Sequence, residues 1–240
     1  MSKLPKAPLL EVIFEINWDV INNQDIVRSQ FLHGDLYSVL KTDYPIRENL
    51  FPTEVPFDIM KNLVMFRFRK KSGYPLVQIG PGILTLNTTD ETYYWDKFSE
   101  EISRVTKSLS DVLPEINQTN LFLSLTYLDF FEINDENLNL IEFINKNFNL
   151  NINQTFTENP ITNEINLTFT YKINENNLIL NLRNGIINNN EKGLVLQTKL
   201  VSLKKKYTSV EQLIWLNYAH EICSDIFKKI INPCFYETFK

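Results

Sequence analysis

Cysteine, histidine and glycine are all scarce in this chain of 240 residues, and each shortage removes a class of chemistry. Two cysteines, Cys223 and Cys234, cannot assemble a four-ligand zinc site or a disulfide scaffold, and they read most simply as free thiols. Two histidines, His33 and His220, leave thin material for acid–base catalysis. His220-Glu221 is not followed by the second histidine that a zinc-protease helix needs four residues after the first. Cys223 shares a helix face with His220, but such a pair lacks the third group that orients nucleophile and base. Glycine appears six times, and the one stretch resembling a phosphate loop is Gly80-Pro81-Gly82. Pro81 removes an N–H donor there, no Lys-Ser/Thr follows, and the next four residues continue as a strand, so a hairpin turn is the expectation. No apolar run approaches the length of a membrane span and no signal-like segment opens the chain, which gives the expectation of a cytoplasmic protein without membrane contact. A basic excess is also missing: the net charge is -5 and the pI near 5.2, which argues against a general affinity for nucleic acid backbone.

What remains is the composition of an ordinary globular chain, 43% hydrophobic and 22% charged, with enough length to bury a substantial core. Leu9–Trp18 alternates Leu10, Val12, Phe14 and Ile16 against Glu11, Glu15 and Asn17, the pattern of a strand with one buried face. Asp25 opens a helix carrying Ile26, Phe31, Leu32, Leu36, Val39 and Leu40, which ends before Tyr44-Pro45; Pro45, Pro52 and Pro56 mark an irregular connection. Leu63–Arg69 reads as a strand with Arg67 and Arg69 on the face of Met65, Ser72-Gly73 as a turn, and Leu76–Leu86 as a hairpin around Gly-Pro-Gly. Thr89 or Asp90 caps a long helix with an apolar stripe at Tyr94, Trp95, Phe98, Ile102, Val105, Leu109 and Val112, stopped by Pro114.

The second half repeats the rhythm. Leu121–Ile133 reads as a strand, and Leu138, Ile141, Ile144 and Phe148 as a short helix. Twenty-one asparagines lie between Asn117 and Asn190, yet Ile165–Ile173 and Leu178–Leu182 alternate like strands around the turn residues Asn174–Asn177, which excludes a linker. Leu194–Leu203 is a further strand. A closing helix spans Tyr207–Ile231, with Thr208 or Ser209 ahead of Glu211 at its start, an apolar face from Val210, Leu213, Ile214, Leu216, Ile222, Ile226, Phe227 and Ile230, and Pro233 at its end. The resulting expectation is an α+β fold of two similar halves, 1–116 and 117–240, in one integrated domain. Each half runs strand, helix, strands, long helix, with mostly antiparallel sheets and helices packed on one face, because hairpin-length connections dominate.

Three segments resemble a sporadically distributed bacterial family of proteins of about this length. Leu4-Pro5-Lys6-Ala7-Pro8-Leu9-Leu10-Glu11-Val12-Ile13-Phe14-Glu15-Ile16 is similar to its opening. Val77–Asn87 followed by Tyr94-Trp95-Asp96-Lys97-Phe98 is similar to its central motif, and Trp215-Leu216, Ala219-His220-Glu221 and Phe227 to its C-terminal helix. Where that family tends to carry an Arg-Tyr-hydrophobic-Asn run in its middle strand, this chain has Thr126-Tyr127-Leu128-Asp129. The resemblance implies a fold and a patchy distribution, not an activity; a place in an antiphage defence or toxin–antitoxin module is an extrapolation from that distribution.

No catalytic constellation, metal site or cofactor emerges from the residues. The carboxylates Glu11, Glu15, Asp129 and Glu132 read as strand charges that discourage edge pairing rather than as metal ligands. Two basic clusters stand out, Arg67, Arg69, Lys70 and Lys71, and Lys204, Lys205 and Lys206. Of these, Arg67, Arg69, Lys204, Lys205 and Lys206, together with Glu11, Glu15 and Gln78, supply the candidate binding residues. The first expectation is a non-catalytic protein-binding or sensing component, its protein partner encoded by a neighbouring gene. The second is an enzyme or nucleotide-responsive protein with a site between the halves, using Glu11, Glu15, Arg67 or Gln78. The third is an RNA-binding protein that uses the two clusters as a basic stripe.

Overall fold

The computed structural model describes residues 4–21, 23–51, 61–133, 139–156, 162, 164–187 and 191–240. Among these the chain is α+β, with nine strands and five α-helices. The strands are β1 (Leu9–Trp18), β2 (Ile46–Asn49), β3 (Phe66–Lys70), β4 (Gly73–Gly80), β5 (Ile83–Thr89), β6 (Leu121–Glu132), β7 (Asn166–Ile173), β8 (Asn176–Ile187) and β9 (Glu191–Val201). The helices are α1 (Asn23–Leu40), α2 (Trp95–Val112), α3 (Leu140–Asn147), α4 (Ser209–Ile230) and α5 (Pro233–Glu237). Hydrogen bonding orders the strands β2-β3-β4-β5-β1-β6-β9-β8-β7 in an antiparallel sheet. Two compact units divide the chain, one of residues 1–10, 126–200 and 219–240, the other of residues 11–125 and 201–218. No helix among the described residues is long and apolar enough to cross a membrane.

In the unit of residues 11–125 and 201–218, strict alternation assigns each strand two faces. Val12, Phe14 and Ile16 on β1 pair with Thr88, Leu86 and Leu84 on β5, and Leu86 and Leu84 with Val77 and Ile79 on β4. Val77 and Ile79 lie opposite Phe68 and Phe66 on β3, so this face is a continuous apolar floor, its Phe14, Leu84, Leu86, Val77 and Phe68 at most 1% exposed. Helices cover it: on α1, His33 stacks on Phe66 at 3.7 Å and Tyr37 lies 5.2 Å from Phe68, while α2 buries Phe98, Ile102, Val105 and Leu109. Burying side chains of this size contributes about 1.5–3 kcal/mol each. A polar knot ties the segment after α1, β3 and α2 together. Glu101 on α2 accepts from the Tyr44 hydroxyl, from Arg104 Nη2 at 2.7 Å and from Lys70 Nζ at 2.9 Å.

The Gly-Pro-Gly stretch is a tight hairpin turn in this unit. Gly80 and Ile83 are paired, leaving Pro81-Gly82 as the loop, with Gly82 at φ 79°. Asn62 N–H donates to the Pro81 carbonyl at 2.7 Å and Trp18 N–H to the Gly82 carbonyl at 2.9 Å. A Cβ on Gly80 would sit 1.8 Å from the Leu63 carbonyl oxygen, and one on Gly82 2.6 Å from the Trp18 carbonyl oxygen. Both glycines thus exist for close backbone approach, and the loop is a packing contact rather than a phosphate cradle.

In the unit of residues 1–10, 126–200 and 219–240, β7 and β8 form a hairpin whose two-residue turn places Asn174 at φ 53°. Aromatic rings carry much of the packing: Phe131 on β6 lies 5.1 Å from Phe148, 5.6 Å from Phe235 on α5 and 5.9 Å from Phe239. Asn139 caps α3 and Asn232 caps α5 through their side-chain oxygens.

Several expectations need correction. Residues 46–49 after Pro45 are a short strand, not irregular chain, while Pro52, Pro56 and Leu138 lie outside the described residues. α2 starts at Trp95, later than a cap at Thr89 or Asp90 requires, because a 3-10 turn at Asp90–Thr92 intervenes. Pro233 begins α5 rather than merely stopping α4. α4 buries Trp215, Leu216, Ala219, Cys223 and Ile230, and leaves Val210, Leu213 and Ile214 exposed.

Candidate functional site

The other face of the sheet in the unit of residues 11–125 and 201–218 is polar. Register alone aligns Glu48 on β2 with Arg67 on β3, Arg67 with Gln78 on β4, Gln78 with Thr85 on β5, and Thr85 with Glu15 on β1. Ser124 on β6 extends the row, its hydroxyl donating to Glu15 Oε1 at 3.5 Å. A flanking row holds Arg69, Leu76, Asn87 and Ile13, and beyond it Glu11 faces Thr89. Five of the residues singled out in the sequence, Glu11, Glu15, Arg67, Arg69 and Gln78, therefore share one face of four neighbouring strands.

Hydrogen bonds organise this face into two ends joined by an amide. Asn87 Oδ1 accepts from the Thr85 hydroxyl at 2.8 Å and from Gln78 Nε2 at 3.4 Å, while Asn87 Nδ2 donates to Glu11 Oε1 at 2.8 Å. Asn17 Nδ2 donates to Glu15 Oε1 at 2.6 Å. At the basic end, Glu48 pairs with Arg69 and lies 3.8 Å from Arg67 Nη1. The floor is buried, with Thr85 and Asn87 at 5% and Ser124 at 3% exposure, whereas the Arg67, Arg69 and Glu48 side chains keep about a third of their surface open. The Nε atoms of both arginines are buried and lack a hydrogen-bond partner. Burial pushes the Tyr74 hydroxyl pKa up and Glu11 adds to the rise, opposed by Arg67 and Arg69, so the ring sits within electrostatic reach of both ends.

β1 lies inside the sheet, between β5 and β6, so Glu11 and Glu15 are not guards of an exposed edge as their position in the sequence suggested. Four residues apart on one strand, they are separated by roughly 13 Å of backbone, too far to act as a paired carboxylate dyad. No group of three or more His, Cys, Asp or Glu among the described residues is arranged to hold a metal ion. Comparison with protein-family models, with curated proteins and with solved structures returns no match. Function is accordingly read from the geometry.

The lysine cluster stands apart from this basin. Lys204 Nζ bonds Asp19 at 2.7 Å and lies over the Phe122 ring, Lys205 faces Glu211 at 3.6 Å, and Lys206 is exposed. Lys70 turns to Glu101 on the helix-covered face, and Arg67 and Arg69 share Glu48. The two basic clusters are thus tied to separate carboxylates, with β4, β5 and β1 between β3 and β6, the strand bridged by Lys205.

His33, His220 and Cys223 are taken up in packing and hydrogen bonds. His33 stacks on Phe66 with Arg47 Nη2 3.0 Å from its Nδ1; burial, and then Arg47, lower its pKa to about 4, so the ring is neutral at pH 7. His220 Nδ1 lies 2.7 Å from the Tyr127 hydroxyl. Cys223 is 2% exposed and burial pushes its thiol up to about 12, which removes the thiolate a nucleophile needs.

Sequence reasoning missed Glu48, Tyr74, Thr85, Asn87, Asn17 and Ser124 as members of the basin. A signal for two of them was present: in Leu84-Thr85-Leu86-Asn87 the alternation already sets Thr85 and Asn87 on the face opposite the leucines.

Proposed function

We propose that this chain is a non-catalytic sensing component that recognises a small polar ligand on the face carrying Glu11, Glu15, Arg67, Arg69 and Gln78. One observation carries the reading: a polar row crosses six adjacent strands from Glu48 to Ser124 on a floor that is nevertheless buried. Burying polar groups costs free energy unless each is hydrogen-bonded, and apolar residues would stabilise the same floor at less cost. Convergent donors and acceptors held rigidly on strands are what recognition of a polar molecule needs. Incubating the purified chain with a small-molecule extract, re-isolating it and analysing the released compounds by mass spectrometry tests the reading. The expected result is a compound retained by the wild-type chain and lost from a folded Glu15→Gln variant; identical retention by the two chains sinks it.

Protein binding has an observation of its own. Val210, Leu213 and Ile214 at the start of α4 are 68%, 42% and 64% exposed, and Val210 and Leu213 border a groove of about 380 Å³ floored by Phe14 and Ile102. Exposed apolar surface of this kind marks interaction sites. A partner retained on native purification and released by Leu213→Asp supports this second reading, and retention unchanged by the substitution removes it.

A further inference from the structure

We infer that the outer edge of β7 pairs antiparallel with β7 of a second copy of this chain, about a two-fold axis at Phe169. The inference goes beyond ligand recognition and uses neither the polar basin nor the start of α4.

Among the described residues β2 and β7 end the strand order, and the sequence treats these two edges differently. β2 has four residues, of which Arg47 and Glu48 are charged, the short and charged kind of edge that resists pairing. β7 has eight residues without proline or glycine, Lys172 is its one charge, and its register with β8 runs unbroken from Asn166 opposite Arg183 to Ile173 opposite Asn176. A long, regular edge of this kind is a template for another strand.

The turn fixes which backbone groups face outward. In a hairpin with a two-residue loop the closing pair, here Ile173 and Asn176, exchanges both hydrogen bonds, and such pairs alternate along the ladder. The bond from Asn184 N–H to the Ile165 carbonyl, at 3.2 Å, continues the same odd-numbered series. The N–H and C=O groups of Asn166, Thr168, Thr170 and Lys172 therefore point away from β8. A single register uses all of these groups and no residue outside β7: it sets Asn166 opposite Lys172 of the copy and Thr168 opposite Thr170, with about eight backbone hydrogen bonds in all. On the face of the odd-numbered residues, Phe169 then meets its own copy at the axis, and Leu167 meets Tyr171, which is 48% exposed in the single chain.

Charge agrees with this pairing and favours a second copy as the occupant. Glu164 lies two residues ahead of Asn166, and the bonds between Ile165 and Asn184 carry the ladder back toward it. Glu164 and Lys172 are both exposed. In the dimer Glu164 falls diagonal to Lys172 of the copy, within reach of so long a side chain, and the axis makes the pair twice. The two lysines, six residues apart along the paired strands, stay roughly 20 Å from each other.

Sedimentation equilibrium of the full chain from micromolar to near-millimolar concentration tests the inference, and a reversible monomer–dimer equilibrium is expected. Thr170→Pro removes an outward N–H yet suits an edge strand, and is expected to weaken the dimer at least about tenfold. Lys172→Glu sets glutamates against each other and is expected to do the same, whereas the double variant Lys172→Glu/Glu164→Lys restores the wild-type dissociation constant to within about threefold. In a Cys234→Ser background, Phe169→Cys is expected to give a covalent dimer on mild oxidation, its Cα atoms lying about 4.5 Å apart across the axis, while Tyr171→Cys, roughly 13 Å from its copy, gives none. Should Thr170→Pro fail to fold, the charge exchange and the cysteine variants still decide. A chain that stays monomeric throughout, a dimer unaffected by Lys172→Glu, or a covalent dimer from Tyr171→Cys but not from Phe169→Cys overturns the inference.

Discussion

A single glycine can be indispensable or merely tolerated, and the six in this chain divide on that point. Gly80 has backbone where a side chain would go, 1.8 Å from the Leu63 carbonyl oxygen, so Gly80→Ala forces the hairpin and the Leu63 segment apart. The expected cost is about 3 kcal/mol or more, seen as a large fall in the urea midpoint with little change in slope. Gly34 is the opposite case. It lies inside α1, which runs through it without a break, and a Cβ there meets nothing within 4 Å. Gly34→Ala is expected to stabilise the chain by roughly 0.5–1 kcal/mol, since it reduces unfolded-state entropy and improves helix propensity. A destabilised Gly34→Ala, or a Gly80→Ala chain with wild-type stability, contradicts these contacts. From the sequence Gly80 read only as a residue of the hairpin turn; what makes it indispensable is its distance to a segment remote in the chain.

For whole elements, local signals were readable and lateral ones were not. The pattern Thr208-x-x-Glu211 announced the start of α4, and the structure forms the reciprocal bonds: Thr208 N–H to Glu211 Oε2 at 2.8 Å and Glu211 N–H to Thr208 Oγ1 at 3.2 Å. Thr208→Ala is expected to cost about 1 kcal/mol and to increase amide exchange in the first turn of α4 above that of its centre. Uniform exchange along α4 in this variant argues against a cap. Leu216 and Ile230 of the expected apolar face of the same helix are buried, but its first turns were misjudged because apolar residues occupy two of its sides. Val210, Leu213 and Ile214 satisfy helical spacing as well as Trp215, Ala219 and Cys223 do, and only packing chooses the second set. β1 was legible because Val12, Phe14 and Ile16 alternate with charges, and β2 was not, because Ile46-Arg47-Glu48-Asn49 has neither alternation nor β-branched density. The basin has the same history. Period-2 alternation set Glu11 with Glu15 and Arg67 with Arg69, but joining the pairs required the registers of β3, β4, β5 and β1, which no local pattern encodes.

At the scale of the molecule, His33 and Glu101, two half-buried groups with displaced titrations, shape the acid limb of stability, and they act in sequence. The His33 pKa lies near 4 in the folded chain against an ordinary 6.5, because burial and Arg47 disfavour the imidazolium. As pH falls below 6.5 the unfolded chain takes up this proton first, so stability declines between about pH 6.5 and 4. For Glu101, burial disfavours its charge, but hydrogen bonds from Arg104, Tyr44 and Lys70 outweigh that and hold the carboxyl near 2 against an ordinary 4.5. Its contribution, on the order of 2–3 kcal/mol, is complete above pH 4.5 and lost as pH falls toward 2. Urea midpoints measured from pH 7.5 to 2.5 are therefore expected to fall in two overlapping steps. His33→Phe, which keeps a ring on Phe66, should flatten the upper step and leave the lower one. Glu101→Gln should lower stability at pH 7 by roughly 2 kcal/mol, since Arg104 and Lys70 lose their shared partner, and should flatten the lower step. A wild-type upper step in His33→Phe, or a wild-type lower step in Glu101→Gln, assigns the acid limb to other groups.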